Sequence, residues 1–468
     1  MTLLTPDLCI IGAGSAGLSV AAGAAQLGAS VVLIEGGQMG GDCLNHGCVP
    51  SKALIAAAHA AERVRRGGPG VAPTPPHVDF PATMAHVRRS IATIAPHDSE
   101  ARFTGLGVTV IRGWASFTGP REIAVGTTRI RARRFVLATG SRPRIPDLPG
   151  LAFVPYLTNE TLFDVPELPS HLLILGGGPI GCEMAQAFRR LGASVTLIQR
   201  GTILPRDDPA AVALVRAQFV AEGIRVIERA TIARAESGPS LTLATGEVVV
   251  GSHLLIASGR APAHDRLNLA AAGIDATDKG ITTDRHLRTT NTRVFAIGDA
   301  AGREQFTHVA GYHAGLVVRR ALFGLPAPLR ADHIPHVTFT DPELAQVGLT
   351  EAAARLCYGA ALTVVEAPFA RNDRAVTEGQ TAGFLKVIIH KGRPIGATLV
   401  GPGAGDLITP WSLALAAHIK MSAMASLITA YPTRSDITKA AVSAYYSPRL
   451  FANPWVKRVV SVVQHFLP

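Results

Sequence analysis

Leu8-Cys9-Ile10-Ile11-Gly12-Ala13-Gly14-Ser15-Ala16-Gly17 is the stretch that decides the fold. An apolar run passes straight into a glycine turn and then into small residues that suit a helix. The next apolar run, Val31-Val32-Leu33-Ile34, ends in Glu35. Strand, glycine turn, helix, strand and acid, in that order, make a dinucleotide-binding unit. Gly12, Gly14 and Gly17 allow a tight turn and close approach of a pyrophosphate. The helix N-terminus adds N–H donors and positive potential, and Glu35 accepts hydrogen bonds from a ribose diol. The pattern recurs downstream. Leu172-Leu173-Ile174-Leu175 leads into Gly176-Gly177-Gly178-Pro179-Ile180-Gly181, where Gly176, Gly178 and Gly181 carry the spacing, then a helix and Val195-Thr196-Leu197-Ile198. Two complete units imply two dinucleotides. The second ends in Gln199-Arg200 where an acid would favour a free ribose 2′-hydroxyl, and an arginine there accommodates a 2′-phosphate.

Between the two units lies Gly41-Asp42-Cys43-Leu44-Asn45-His46-Gly47-Cys48-Val49-Pro50-Ser51-Lys52, at the mouth of an Ala-rich helix. A straight helix separates two such Cα atoms by about 7.5 Å from its rise alone, beyond the usual ~4.4–6.8 Å of a disulfide. A bridge therefore requires a local distortion, and Gly47 is the residue best suited to permit it. A helix N-terminus also favours the thiolate form of a cysteine. From the residues alone, two small buried side chains or a weak metal pair stand as alternatives.

The G-x-C-L-N-x-G-C-x-P-S-K pattern resembles the redox-active disulfide of the flavoprotein disulfide reductases, the pyridine nucleotide–disulfide oxidoreductase family. That family includes glutathione reductase, dihydrolipoamide dehydrogenase and mercuric reductase, and the resemblance covers nearly the whole chain. It implies an α/β fold with two Rossmann-type dinucleotide-binding domains and a C-terminal α+β dimerisation domain. Residues 1–150 and 273–332 are expected to build the FAD-binding part, 151–272 the NAD(P)H domain and 333–468 the interface domain. FAD is expected along Gly12, Gly14, Gly17 and Glu35. The Ala138-Thr139-Gly140-Ser141 segment and Asp299 of Ile297-Gly298-Asp299-Ala300 resemble the family's further flavin contacts. Arg200 and Arg206 align by spacing with the two arginines that glutathione reductases use for NADPH, so NADPH is expected over NADH. Cys43 and Cys48 are implied as the redox pair, with Cys48 nearer the flavin and Cys43 attacking the acceptor. Lys52 is implied to pair with Glu183 beside the flavin, where an ammonium stabilises developing negative charge. Leu254 to Pro262 resembles the strand leading to the family's G-R-x-P.

The family pattern breaks near the C-terminus. Most members place a proton-shuttling His before a Pro-Thr pair and a Glu five residues later. Here Tyr431 and Asp436 stand at those positions. A phenol with an unperturbed pKa near ~10 is a poor base at neutral pH. Mercuric reductases also carry Tyr in this region, and Leu204-Pro205-Arg206-Asp207-Asp208-Pro209 looks closer to theirs. They carry a further cysteine pair near their C-terminus, whereas this chain has no cysteine after Cys357. The resemblance thus points to an oxidoreductase acting on a thiol-bound or disulfide acceptor, mercuric-reductase-like. Dihydrolipoamide dehydrogenase or another disulfide reductase, and a slowly turning redox sensor, are the alternatives. His46, between the cysteines, is a candidate replacement proton carrier or an additional ligand for a soft metal, set against an ordinary loop histidine.

Composition narrows the classes. The 468 residues are ample for several domains. The net charge of +11 comes mostly from scattered arginines, without basic runs interleaved with aromatics, so anionic cofactors and a solvated surface explain it and no nucleic acid is expected. Five cysteines are too few for a secreted disulfide framework, and Cys9, Cys182 and Cys357 are expected to pack as small hydrophobes. No signal-peptide pattern opens the chain and no apolar run reaches about 18 residues, so a cytoplasmic protein is expected; the family resemblance implies a homodimer with shared active sites. No resident metal is expected. In the tail, Trp455 to Val463 and Phe466 show apolar residues at helical spacing. Such a face more often docks on its own protein; contact with an anionic membrane is the alternative.

Overall fold

The computed structural model describes residues 2–236 and 238–467. The chain folds as two compact units, Met1–Arg200 with Ile227–Leu329, and Gly201–Val226 with Arg330–Pro468.

In the first unit, five parallel strands lie in the order Val294–Ala296, Arg134–Leu137, Leu8–Ile11, Val31–Glu35, Thr109–Arg112. The central strands are unbroken apolar runs because a parallel sheet is covered on both faces. Leu8, Ile10, Leu33 and Val136 pack under the helices Ser15–Gln26 and Thr307–Phe323. Cys9, Ile11, Phe135 and Leu137 point the other way, onto Phe117, Ile123 and Ile130 of a small sheet. A second parallel layer places His171–Leu175 between Ser194–Ile198 and His253–Ile256. Its helix, Pro179–Leu191, packs against the long helix Cys48–Arg66. Two short strands, Ser141–Pro143 and Arg260–Pro262, pair antiparallel.

The second unit is an antiparallel sheet ordered Pro335–Thr338, Glu343–Gly348, Arg393–Gly401, Phe384–His390, Leu362–Pro368. Its core gathers around the fully buried Trp411. The helix Pro209–Ala221 joins this sheet, capped by the Asp208 carboxylate, which accepts from the Ala210 N–H. Buried Lys386 holds Asp208 at 3.0 Å and Glu351 at 3.4 Å, and His336 contacts Asp207 at 3.0 Å.

Asp79 caps the helix Phe80–Ile94, and Pro81 sits in its first turn, where a missing N–H costs nothing. Two local expectations change. Cys357 is exposed, while Cys9 and Cys182 are buried. The tail forms the helix Pro454–Phe466, but none of its residues is buried, so its apolar face does not dock on its own chain. Among the described residues no helix is long and apolar enough to cross a membrane.

Candidate active site

Gly12 leaves the first strand at φ +103°, where a Cβ would collide with the Ala138 carbonyl, so only glycine lets the two strand ends converge. Gly41 crosses Gly14 at φ +60°, and a Cβ there would lie 2.7 Å from the Gly14 Cα. Glu35 braces this turn, accepting from the Ala13 N–H at 2.6 Å and the Gly37 N–H at 2.5 Å. At the neighbouring strand end, the buried Thr139 hydroxyl has no protein partner among the described residues. Asp299 accepts from the Ser141 hydroxyl, and burial raises its carboxyl above the usual range. The crowded glycines, the unsatisfied hydroxyl and the buried carboxyl fit an extended flavin dinucleotide.

The second glycine turn repeats the first. Gly176, at φ +120°, meets the Ala257 carbonyl as Gly12 meets that of Ala138. Gln199 Oε1 accepts from the Gly177 N–H at 2.9 Å, which is the bond Glu35 makes to its own turn. The neutral amide thus keeps the brace and omits the negative charge. Arg200 follows it, exposed. Arg206 is exposed in the second unit.

The redox segment is two helices, Gly41–Asn45 and Cys48–Arg66, broken at His46 and Gly47. Gly47 takes φ −123°, ψ −113°, outside the helical region. This break supplies the distortion that a straight helix lacks, and both cysteines stand as thiols within mutual hydrogen-bonding reach. Cys48 is the first residue of its helix, at the positive end of the helix dipole. Its thiol is lowered to about 6, foremost by the hydrogen bond from Cys43, then by the Thr307 hydroxyl at 3.4 Å and the Lys52 charge, against the effect of burial. Cys43 is pushed up, because its proton is held toward Cys48 and burial disfavours its thiolate. Lys52 Nζ donates to Glu183 Oε2 at 2.7 Å, with Glu183 nearly buried on the helix of the second glycine turn.

Sequence reasoning passed over the clamp on this segment. Asp42, just before Cys43, accepts from Asn159 Nδ2 at 2.8 Å and lies 3.2 Å from Arg260 Nη2. Arg260 also donates to the Ser141 hydroxyl at 2.7 Å and to its carbonyl at 2.9 Å, and Ser141 holds Asp299. Asn159 reaches the His46 carbonyl at 3.3 Å. One guanidinium and one amide therefore tie the cysteine loop to the flavin-side carboxylate. The only signal was Arg260 in its G-R-x-P. Also overlooked was His313, fully buried, with Nδ1 accepting from the Gly298 N–H at 3.2 Å.

Tyr431 and Asp436 lie in the second unit and do not hydrogen-bond each other. The exposed Tyr431 hydroxyl donates to Asp373 Oδ2 at 2.8 Å, and this bond pushes its pKa further up. Asp436 accepts from the Thr429 hydroxyl and, at 3.5 Å, from the Thr433 N–H. All three residues line one open hollow with Arg371 and Lys439. Among the described residues, no three His, Cys, Asp or Glu side chains are placed to hold a metal ion.

The chain matches the profile of the family described as "Pyridine nucleotide-disulphide oxidoreductase" over residues 6–314, and that family's dimerisation domain over residues 334–442. It is 37% identical over 458 residues to the mercuric reductase of Streptomyces lividans, covering 94% of this chain and 96% of that one. It is 34% identical over 451 residues to the dihydrolipoyl dehydrogenase of Geobacillus stearothermophilus, covering 93% and 95%. The Cu(II) complex of the HOCl-induced flavoprotein disulfide reductase RclA from Escherichia coli superposes with a TM-score of 0.83 at 29% identity, over 93% of this chain and 99% of that one. The fold, with its dimerisation domain, and the paired cysteines agree with these matches: the chain belongs to the pyridine nucleotide–disulphide oxidoreductase family, as an FAD-dependent enzyme of homodimeric architecture.

Proposed function

We propose that the enzyme passes electrons from NADPH through FAD and the Cys43/Cys48 pair to a soft metal ion carried by thiolates, in the manner of a mercuric reductase. FAD, held by Gly12, Gly14, Gly17, Glu35, Thr139, Gly140 and Asp299, supplies two-electron transfer between the nicotinamide and the disulfide. Two electrons and one proton open the disulfide into a Cys48 thiolate and a Cys43 thiol, because Thr307 and the Lys52 charge favour the thiolate at Cys48 and burial disfavours it at Cys43. Lys52, anchored by Glu183, puts positive charge beside that thiolate. Cys43 then exchanges onto the metal, its proton leaving with the first displaced ligand as thiol; the Cys48 thiolate then closes the disulfide, the two electrons go to the metal, and the second ligand leaves as thiolate.

The observation that carries the choice of acceptor is Tyr431, whose proton is committed to Asp373. A disulfide acceptor needs a base for Cys43 and an acid for the leaving thiolate. A metal acceptor needs neither, so a bound phenol is tolerated. In a homodimer, Tyr431 and Asp436 are assigned to the partner's substrate site. The 34% identity to a dihydrolipoyl dehydrogenase supports disulfide reduction as the second reading, with His46 then the proton carrier. Gln199 and Arg200, with Arg206, support NADPH over NADH, because no carboxylate at the strand end repels a 2′-phosphate.

The test is NADPH oxidation by the purified holoenzyme with Hg(II) in excess thiol and, separately, with lipoamide. Fast turnover with the metal alone is expected. Fast turnover with lipoamide instead overturns the proposal and makes His46→Ala the next variant.

A further inference from the structure

The helix Pro454–Phe466 carries a run of exposed apolar side chains and has no buried residue. At 3.6 residues per turn, Trp455, Val456, Val459, Val463 and Phe466 share one face, while Ser461 and Gln464 lie opposite. Trp455 is 71% exposed, Val459 59% and Phe466 78%. Arg458 falls at one border between the faces, where a long basic side chain lays its stem along apolar material and lifts its charge into water, and Lys457 lies on the polar face between Gln464 and Ser461. Arg458 already lies beside the Trp455 ring, 5.4 Å from its centroid. From residue 437 to the last residue the chain has four lysines and arginines and no carboxylate. The family's dimerisation profile ends at residue 442, so this helix lies beyond the matched interface.

We propose that this helix binds the surface of an anionic lipid bilayer, lying in the plane of the headgroups with its Trp455–Phe466 face in the acyl boundary. Charge decides the occupant. A second copy would set one cationic segment, without a single Asp or Glu, against another, whereas an anionic lipid surface attracts the net positive charge of Lys457 and Arg458 and solvates the tryptophan ring at its polar edge. The helix is too short to span a membrane, so the attachment is peripheral and reversible by salt.

The experiment is flotation of the full-length, FAD-loaded enzyme with phosphatidylcholine vesicles, with and without phosphatidylglycerol, at low and high salt. Flotation is expected with anionic vesicles at low salt only. Lys457→Gln with Arg458→Gln should weaken partition roughly thirtyfold, about fivefold for each cation near an anionic surface. Val459→Asp with Val463→Asp should abolish it. Both pairs are solvent-exposed, so NADPH oxidation with a soluble acceptor should be unchanged, which separates lost binding from lost folding. Failure of the intact enzyme to float, or flotation that survives Val459→Asp with Val463→Asp, overturns the proposal. So does light scattering that shows assemblies larger than a dimer which these aspartates dissolve without any vesicle binding; the occupant is then a second copy of the chain.

Discussion

Reduced enzyme treated with iodoacetamide over a pH series reads the state of Cys48. Its alkylation rate should rise through a pKa near 6, because the thiolate is the reactive form. Removing the largest cause tests the assignment: Cys43→Ala should move that midpoint up toward the ordinary thiol value of about 8.5. His313 makes the second prediction. Burial, with the Arg303 charge second, lowers its pKa to about 4. An unfolded histidine titrates near ~6.5, so between these values the unfolded chain holds a proton that the folded chain does not. Stability is therefore lost as pH falls from about 6.5 to about 4, by on the order of 3 kcal/mol, and is unaffected above that window. Urea unfolding at both ends of the window should show this loss. His313→Asn, which keeps an acceptor for the Gly298 N–H, should flatten it. Lys52 and Glu183 were legible because each sits at a fixed step from its own glycine or cysteine motif. Asp373 and Asn159 were not, because their contacts join distant stretches of chain with no local pattern to mark them.

Elements rather than single groups explain how the cysteine loop is kept in place. The strand pair Ser141–Pro143 and Arg260–Pro262 delivers Arg260, which is shielded from solvent, to two carboxylates. Arg260→Met leaves Asp42 and Asp299 facing each other without the cation. It should cost about 3 kcal/mol, the usual scale for removing one partner of a shielded ion pair, and should speed FAD loss. Arg260→Lys restores the charge but not the planar fork, so thermal melts should place it between the two. Apolar runs and glycine punctuation made the two dinucleotide layers legible. The largely apolar stretch from 404 to 424 forms three separate helices, Ala404–Leu407, Thr409–Ala416 and Met421–Met424. His418 takes φ +52° between the last two, a left-handed turn that no apolar pattern announces.

The whole molecule is a two-unit chain that works as a homodimer, and sharing of active sites is open to a direct assay. Cys48→Ser should abolish turnover and Tyr431→Ala, which removes one wall of the hollow that it lines, should slow it strongly; co-expressed, the two chains should recover about a quarter of wild-type turnover if the sites are shared. Random pairing makes about half the dimers mixed, and each mixed dimer keeps one intact site. Recovery of nothing would place Cys48 and Tyr431 in the same subunit's site. The company kept by Gly201–Val226 was not legible in the sequence, since only the folded chain shows Asp207 and Asp208 under His336 and Lys386. Grafting follows a different map from the motifs for this reason. A chimera that swaps residues 151–272 as one cassette takes Asp208 away and leaves the Lys386 ammonium with only Glu351, 3.4 Å off. Crossovers at 200 and 227, with the intervening stretch left with its sheet, exchange the second glycine turn and leave the recipient's charge balance whole.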